Sequence, residues 1–349
     1  MTIKHRFARS IAFVVSLTAL GVAGAAQPHS AAAAVSPDVA AAAKREGVVV
    51  WYAAVDAQTL AAVVARFEQL HAGIKLEALQ IGSTLIPARV MTEHASGNAH
   101  ADLVSGDDFS LSQLANAGIL QPYRYAEAAK FAKGSVDPNG YWTTLYDDTT
   151  VIAWNPAKLK ADGLKPPATL ADLGRPEWRG KIAIDSSAYN WYDGTLKTQP
   201  DAQNVLRRIA ENKPFITSGH TQTVTQLAAG EFDVTPTAYG YMVDRERQRG
   251  RSVDFVKPKP MIVGLVPIAM MQGAPHANAA RVALHWLLSR EGQQFFVDTS
   301  GRTSARADVN NNPRVFKAGD PFYILPAPER PAVYNGIIAD FRKLLGIGG

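Results

Sequence analysis

The chain has 349 residues, 47% hydrophobic and 19% charged, enough for about two domains with buried cores and too apolar to be disordered throughout. It contains no cysteine, which excludes a disulfide scaffold, a thiolate nucleophile, a Cys-ligated zinc site and an iron–sulfur cluster. The formal charge is only +5, from 36 basic and 31 acidic residues.

The N-terminus has the order of a secretory signal peptide. Lys4, Arg6 and Arg9 form a positive region, residues 11–20 are mostly apolar, and small residues follow at 21–26. Cleavage is expected near residues 25–26, with a later site near Ala34 as the alternative. No cysteine follows, so a lipid anchor is excluded. Removing residues 1–26 leaves 33 basic against 31 acidic residues, which takes away the electrostatic basis for nucleic-acid binding. An exported protein of the periplasm is expected.

Strands and helices then alternate. Residues 48–52 read as a buried strand, rich in β-branched and aromatic residues. Leu60, Val63, Val64, Phe67 and Leu70 recur on one face of a helix over about 57–71, ended by Gly73. A strand is expected at 74–81. A helix follows through Ala95, with Ser83 or Thr84 as its cap, then a strand at 101–104 and a helix at 109–117. This βαβαβα order predicts a parallel sheet covered by helices. A second unit carries strands at 150–154, 181–184 and 232–239 and helices at 220–229 and 242–248. Two helices near 278–288 and 291–299 close the pattern. No flexible linker separates the halves, which suggests lobes joined by extended strands.

Catalytic signatures are absent: no G-x-S-x-G elbow, no H-E-x-x-H, no Walker loop and no G-x-G-x-x-G. His94 and His100 are poorly spaced for shared ligation. In Asp107-Asp108 and Asp147-Asp148, adjacent strand residues point to opposite faces, so each pair offers one carboxylate to a given cleft. The run from Asp244 to Arg251 reads as a solvated helix with a basic last turn, or as a docking patch for a membrane partner.

Five segments resemble the periplasmic solute-binding proteins of ABC importers, in the ferric-ion-binding branch of extracellular solute-binding family 1. They are VVVWYAAVDAQTLAAVVARFEQLHAGIKL, IPARVMTEHASGNAHADLV, VIAWNPAKL with PEWRGKIAI, LAAGEFDVTPTAYGY, and NAARVALHWLLSREGQQFFVDTSGRTSARADV. They follow one another over nearly the whole mature chain. The resemblance implies a mixed α/β, two-lobed periplasmic-binding-protein fold of the type II kind, with a ligand cleft between lobes joined by hinge strands. It places one lobe at 36–145 plus 262–312 and the other at 146–261 plus 313–349. It implies a monomer that captures a small solute or ion and delivers it to an inner-membrane ABC permease, without covalent chemistry and with no required cofactor.

The resemblance also implies site residues. The family's ferric pattern has a His after the first strand, a carboxylate after the third and two adjacent tyrosines. Here the first falls at Asp56, the second near Asp107 or Asp108, and the pair at Gly240-Tyr241, with Tyr239 just before. One tyrosine is thus a glycine and the histidine is an acid. If the stretch stays extended, Tyr239 and Tyr241 face the same side. Hard Fe(III) suits phenolate and carboxylate oxygens. The family's anion cradle falls at Ser186, Ser187, Ala188, Tyr189 and Asn190, where backbone N–H groups at a helix start would attract negative charge; Ser83 and Thr84 offer a similar end. Trp51, Tyr52, Tyr189, Trp191 and Tyr192 would either stack on a solute or pack. The implied ligand is Fe(III) with a synergistic anion or a small anionic solute. An organic phosphonate, sugar phosphate, carboxylate or cation is the alternative. An enzyme on the same frame would need a close carboxylate pair, and a receptor-coupled sensor would look the same in sequence.

Overall fold

The computed structural model describes residues 35–326 and 331–347. The expected signal peptide lies outside these residues. The first half runs α1 (Pro37–Glu46), β1 (Val48–Ala53), α2 (Ala57–Leu70), β2 (Lys75–Gln80), a 3-10 turn at Ser83–Leu85, α3 (Ile86–Ala95), β3 (Leu103–Ser105), α4 (Asp108–Asn116) and β4 (Leu120–Gln121). The long β5 (Trp142–Trp154) leads to α5 (Pro156–Ala161), β6 (Ala183–Asp185), α6 (Tyr189–Thr198), α7 (Ala202–Glu211), β7 (Phe215–Thr217), α8 (His220–Ala229), β8 (Val234–Tyr239), α9 (Gly240–Gln248) and β9 (Asp254–Val256). Then β10 (Met261–Met271), α10 (Ala277–Leu288), α11 (Arg290–Ser300), β11 (Phe322–Ile324) and α12 (Pro331–Leu345) complete the fold.

Local chemistry explains these elements. In α2 the Asp56 side chain accepts the Thr59 N–H at the start, and Leu60, Val63 and Phe67 form the buried stripe. Gly73 turns the chain at φ +93, where a side chain would be strained. Burying a side chain such as Phe67 stabilises by about 2 kcal/mol or more.

The principal sheet has the order β2-β1-β3-β10-β5-β8, with β4 and β11 also pairing β10 and β9 pairing β5; β6 and β7 form a separate parallel pair. The first three strands are parallel, as expected, but β10 enters antiparallel beside β3 and β5. It returns from the second half of the chain, so its direction is not that of a βαβ crossover. The strand expected at 150–154 is the end of the 13-residue β5.

Two sets of cores flank the long strands. Helices α1, α2, α10 and α11 cover one face of the first sheet region around Trp51, Leu103, Leu145 and Phe296, while α3 and α4 cover the other around Tyr52, Ile86, Leu111 and Leu114. Along β5 the packing then changes partners. Val151 joins Val224, Leu227 and Val243, and Ile152 and Trp154 join Trp178, Trp191 and Phe341. Strand β10 does the same in reverse, with Ile262 in the second set and Val266, Ile268 and Met270 in the first. The paired strands β5 and β10 are therefore the shared spine.

Candidate functional site

Alternation along β5 decides what faces the cleft. Tyr146, Asp148 and Thr150 point into one cavity of about 340 Å³, and Asp147 and Thr149 into another on the opposite face. The first cavity is walled on one side by Ala54, Ser83, Thr84, Asp107 and Phe109, from the segment that follows β1 and runs into α4. From the other side come Ser187, Tyr189, Asn190, His220, Tyr239 and Tyr241.

Arg302 is the cation of this cavity. It follows Gly301, the left-handed residue that ends α11, and is 6% exposed. Its NH1 donates to Asp56 Oδ2 at 2.8 Å, and its Nε lies 3.7 Å from Asp148 Oδ1. The guanidinium carbon is 4.7 Å from the Tyr146 ring and 4.5 Å from the Tyr241 ring. Burial disfavours its charge, but the surrounding phenols and carboxylates more than compensate and hold it firmly protonated. Arg302 draws the Asp56 carboxyl below the usual range against the effect of burial. Asp148 has the opposite fate. Its Oδ1 is buried without a hydrogen-bond partner among the described residues, and burial pushes its carboxyl up despite the nearby Arg302 and His220.

The tyrosines converge by a route other than an extended strand. Tyr239 ends β8 and Tyr241 already lies in the first turn of α9, yet their ring centroids are 6.4 Å apart and nearly parallel. Gly240 between them faces inward. A Cβ there would come within 3.2 Å of both Val151 and Val315, so this backbone leaves no room for a tyrosine. Tyr239 also packs on His220, with centroids 4.0 Å apart. Burial, followed by the Asp148 charge, holds both phenols above their ordinary range.

The small-residue turn after β6 is organised by Asp185. Its Oδ1 accepts the Ser187 N–H and hydroxyl at 2.9 and 2.8 Å and the Gly219 N–H at 3.1 Å, and its Oδ2 lies 3.1 Å from His220 Nδ1. Ser187, Tyr189 and Asn190 thereby reach the cavity at the start of α6. Ser186 does not line it, and its N–H is spent on the Thr217 carbonyl. Opposite, Asp107 caps α4 by accepting the Ser110 N–H at 2.8 Å and donates its own N–H to Ser83 Oγ. Neither Ser83 nor Thr84 caps a helix by its side chain; they sit in the 3-10 turn and line the cleft. Burial raises the Asp107 carboxyl.

Of the residues expected from sequence, Ser83, Thr84, Asp107, Ser187, Ala188, Tyr189, Asn190, Trp191, Tyr239 and Tyr241 share this cavity, and Tyr192 packs in the core instead. Asp56 lines an adjoining depression with Ser83 and His220, and its side chain is taken by Arg302 and Thr59. Trp51 and Tyr52 pack away from the cleft, with Trp51 Nε1 donating to Ser105 and the Tyr52 hydroxyl to Glu93. Asp148 is the one carboxylate of its pair that enters this cavity, in keeping with strand alternation, whereas Arg302, His220 and Tyr334 escape the sequence pattern. Among the described residues no three His, Asp or Glu side chains gather as a metal cluster, so a metal here would depend on phenol oxygens.

Residues 62–320 match the family described as bacterial extracellular solute-binding protein. An Fe(3+)-binding periplasmic protein of Serratia marcescens is 21% identical over 235 residues, covering 64% of this chain and 68% of the relative. Periplasmic binding protein AfuA of Actinobacillus pleuropneumoniae, solved with exogenous fructose-6-phosphate bound, aligns with a TM-score of 0.72 at 21% identity. It covers 86% of this chain and 99% of that one. Iron-bound HitA of Pseudomonas aeruginosa aligns at 0.69 and 20% identity, covering 86% and 98%. These neighbours share the two-lobed fold of periplasmic binding proteins.

Proposed function

The chain belongs to the bacterial extracellular solute-binding protein family, and from that premise we propose that it is the periplasmic capture subunit of an ABC importer, holding Fe(III) together with a small anion in the cleft. The lobes are taken as 36–145 plus 262–312 and 146–261 plus 313–349, following an N-terminal signal peptide. The protein acts as a monomer and hands its ligand to an inner-membrane permease. The ligand undergoes no covalent transformation; its contacts to both lobes stabilise the closed form.

One observation carries the iron reading. Asp148, whose buried Oδ1 has no hydrogen-bond partner among the described residues and only the Arg302 charge at 3.7 Å, lines the same cavity as Tyr239 and Tyr241, which together supply hard oxygens. Asp107 supplies a carboxylate from the opposite wall, and Asp56 contributes through Arg302. The permanent charge of Arg302, with Ser187 and Asn190 at the start of α6, suits an accompanying anion. Relatives described as Fe(3+)-binding and as an iron uptake protein support this choice.

Both phenols are protonated in the ligand-free cleft, so Fe(III) must displace two protons. Apparent affinity should fall as pH falls, by up to about a hundredfold per pH unit. The test is an optical titration of the mature protein with ferric citrate. A visible phenolate-to-iron band, weakened and shifted in Tyr241→Phe and lost when Tyr239 is also replaced by Phe, is expected. A colourless protein that retains a bound organic anion would refute the metal. It would favour a second reading, an organic phosphate anchored on Arg302, to which the sugar-phosphate-bound neighbour lends support.

A further inference from the structure

A second cavity lies apart from the cleft. About 580 Å³ lies on the opposite face of β5, between that strand, the Lys130–Ser135 segment, the loop from Thr303 to Gly319, and β11. Its walls are apolar, with Phe131, Val263, Val309, Phe316, Phe322 and Ile324. Its floor is polar. Asp147, Thr149 and Ser135 are 7%, 2% and 0% exposed, and Asp147 Oδ1, Thr149 Oγ1 and Ser135 Oγ are buried without a hydrogen-bond partner among the described residues. Native proteins rarely leave three such groups beside one cavity, because each forfeits about 1–3 kcal/mol.

The nature of the unmet partner follows from the donor set. Asp147 forms no ion pair among the described residues, and the buried guanidinium that lines this cavity, Arg306, is committed to Glu127 and Asp308. The hydroxyls of Thr149 and Ser135 can accept as well as donate. Lys130 and Lys317 stand at the exposed rim, where solvent screens them.

We propose that this cavity is a second ligand site, distinct from the cleft, for a small organic amine: the ammonium group pairs with Asp147 and its neighbouring hydroxyls, and an apolar body lies against Phe131, Phe316 and Phe322. The site sits on the spine itself. Asp147 adjoins Asp148, and its N–H donates to the carbonyl of Thr303, the residue after Arg302, so both cavities share these peptides.

The probe is 2-phenylethylamine, titrated into the mature wild-type protein by calorimetry, with 2-phenylethanol as its uncharged counterpart. Saturable amine binding at millimolar concentration or below is expected, with the alcohol weaker. Asp147→Asn, an isosteric change that removes only an unpaired charge, should weaken the amine at least tenfold. Thr149→Val, which removes a hydroxyl without a hydrogen-bond partner among the described residues, should weaken it severalfold. Tyr241→Phe should leave amine binding unchanged while altering the cleft, so failure here is separable from failure of the iron reading. No saturable binding, equal affinity in Asp147→Asn, or an amine found in the cleft in a soaked crystal would overturn the proposal.

Discussion

Asp107 and Asp108 stand side by side at the start of α4, yet their roles differ. Asp107 caps the helix and faces the cleft, whereas Asp108 turns inward, and burial with the adjacent Asp107 charge pushes its carboxyl up to about 7. A carboxyl raised on folding favours the folded state while it is protonated. Its contribution is lost as pH rises from the unfolded value, about 4, through about 7. Asp108→Asn should therefore stabilise the protein by on the order of 2–4 kcal/mol at pH 8 and by little at pH 4, read as urea midpoints at the two pH values. Arg302 works the other way. Replacing it with Ala strands Asp56 and Asp148 as uncompensated acids, and should cost about 3–5 kcal/mol in thermal or chemical unfolding. Unchanged stability in Arg302→Ala would show that these pairs contribute nothing.

At the scale of elements, α6 and β10 meet at a glycine. A Cβ on Gly194 would lie 2.7–3.0 Å from three carbons of Ile262, so Gly194→Ala should destabilise by about 1–3 kcal/mol, and the added change Ile262→Val should restore part of the loss. The same scale shows how far the sequence could be read. Helix α2, with its Leu60, Val63 and Phe67 stripe, and the helices α10 and α11 are legible because tertiary packing follows their periodicity. Strand β10 is not, since Gly264 and Pro267 interrupt a strand pattern. The full length of β5 is hidden by the polar Asp147-Asp148 step, whose side chains enter two separate cavities. The start of α9 carries no signal, because Tyr239 caps it without a side-chain hydrogen bond. The cleft tyrosines were legible in position but not in conformation. Arg302 and His220 were not legible, because each reaches the cleft through contacts distant in sequence, Arg302 with Asp56 and His220 with Asp185, whereas alternation in the Asp147-Asp148 pair already offers one carboxylate to the cleft.

At the scale of the whole molecule, β5 and β10 carry residues of both sets of cores, and one contact closes over the cleft from outside the spine. Phe109 of α4 stacks on Tyr334 of α12 with centroids 3.7 Å apart, while Phe341 of the same helix is buried among Trp191, Tyr192 and the second core. That stack holds the two sides together without ligand. Such aromatic pairs contribute about 0.5–1.5 kcal/mol beyond their buried area, enough to bias a balanced open–closed equilibrium several-fold. Tyr334→Ala should enlarge the radius of gyration of the ligand-free protein in solution scattering, and saturating ligand should restore the compact form. An unchanged profile would remove the stack from the account of closure. The most direct measurement of the central claim is anomalous diffraction at the iron edge from crystals of the mature protein grown with ferric citrate. A single iron peak within bonding reach of the Tyr239 and Tyr241 oxygens and Asp148, with anion density toward Arg302, is the predicted result. A cleft that holds an organic anion on Arg302 and no iron peak would contradict it.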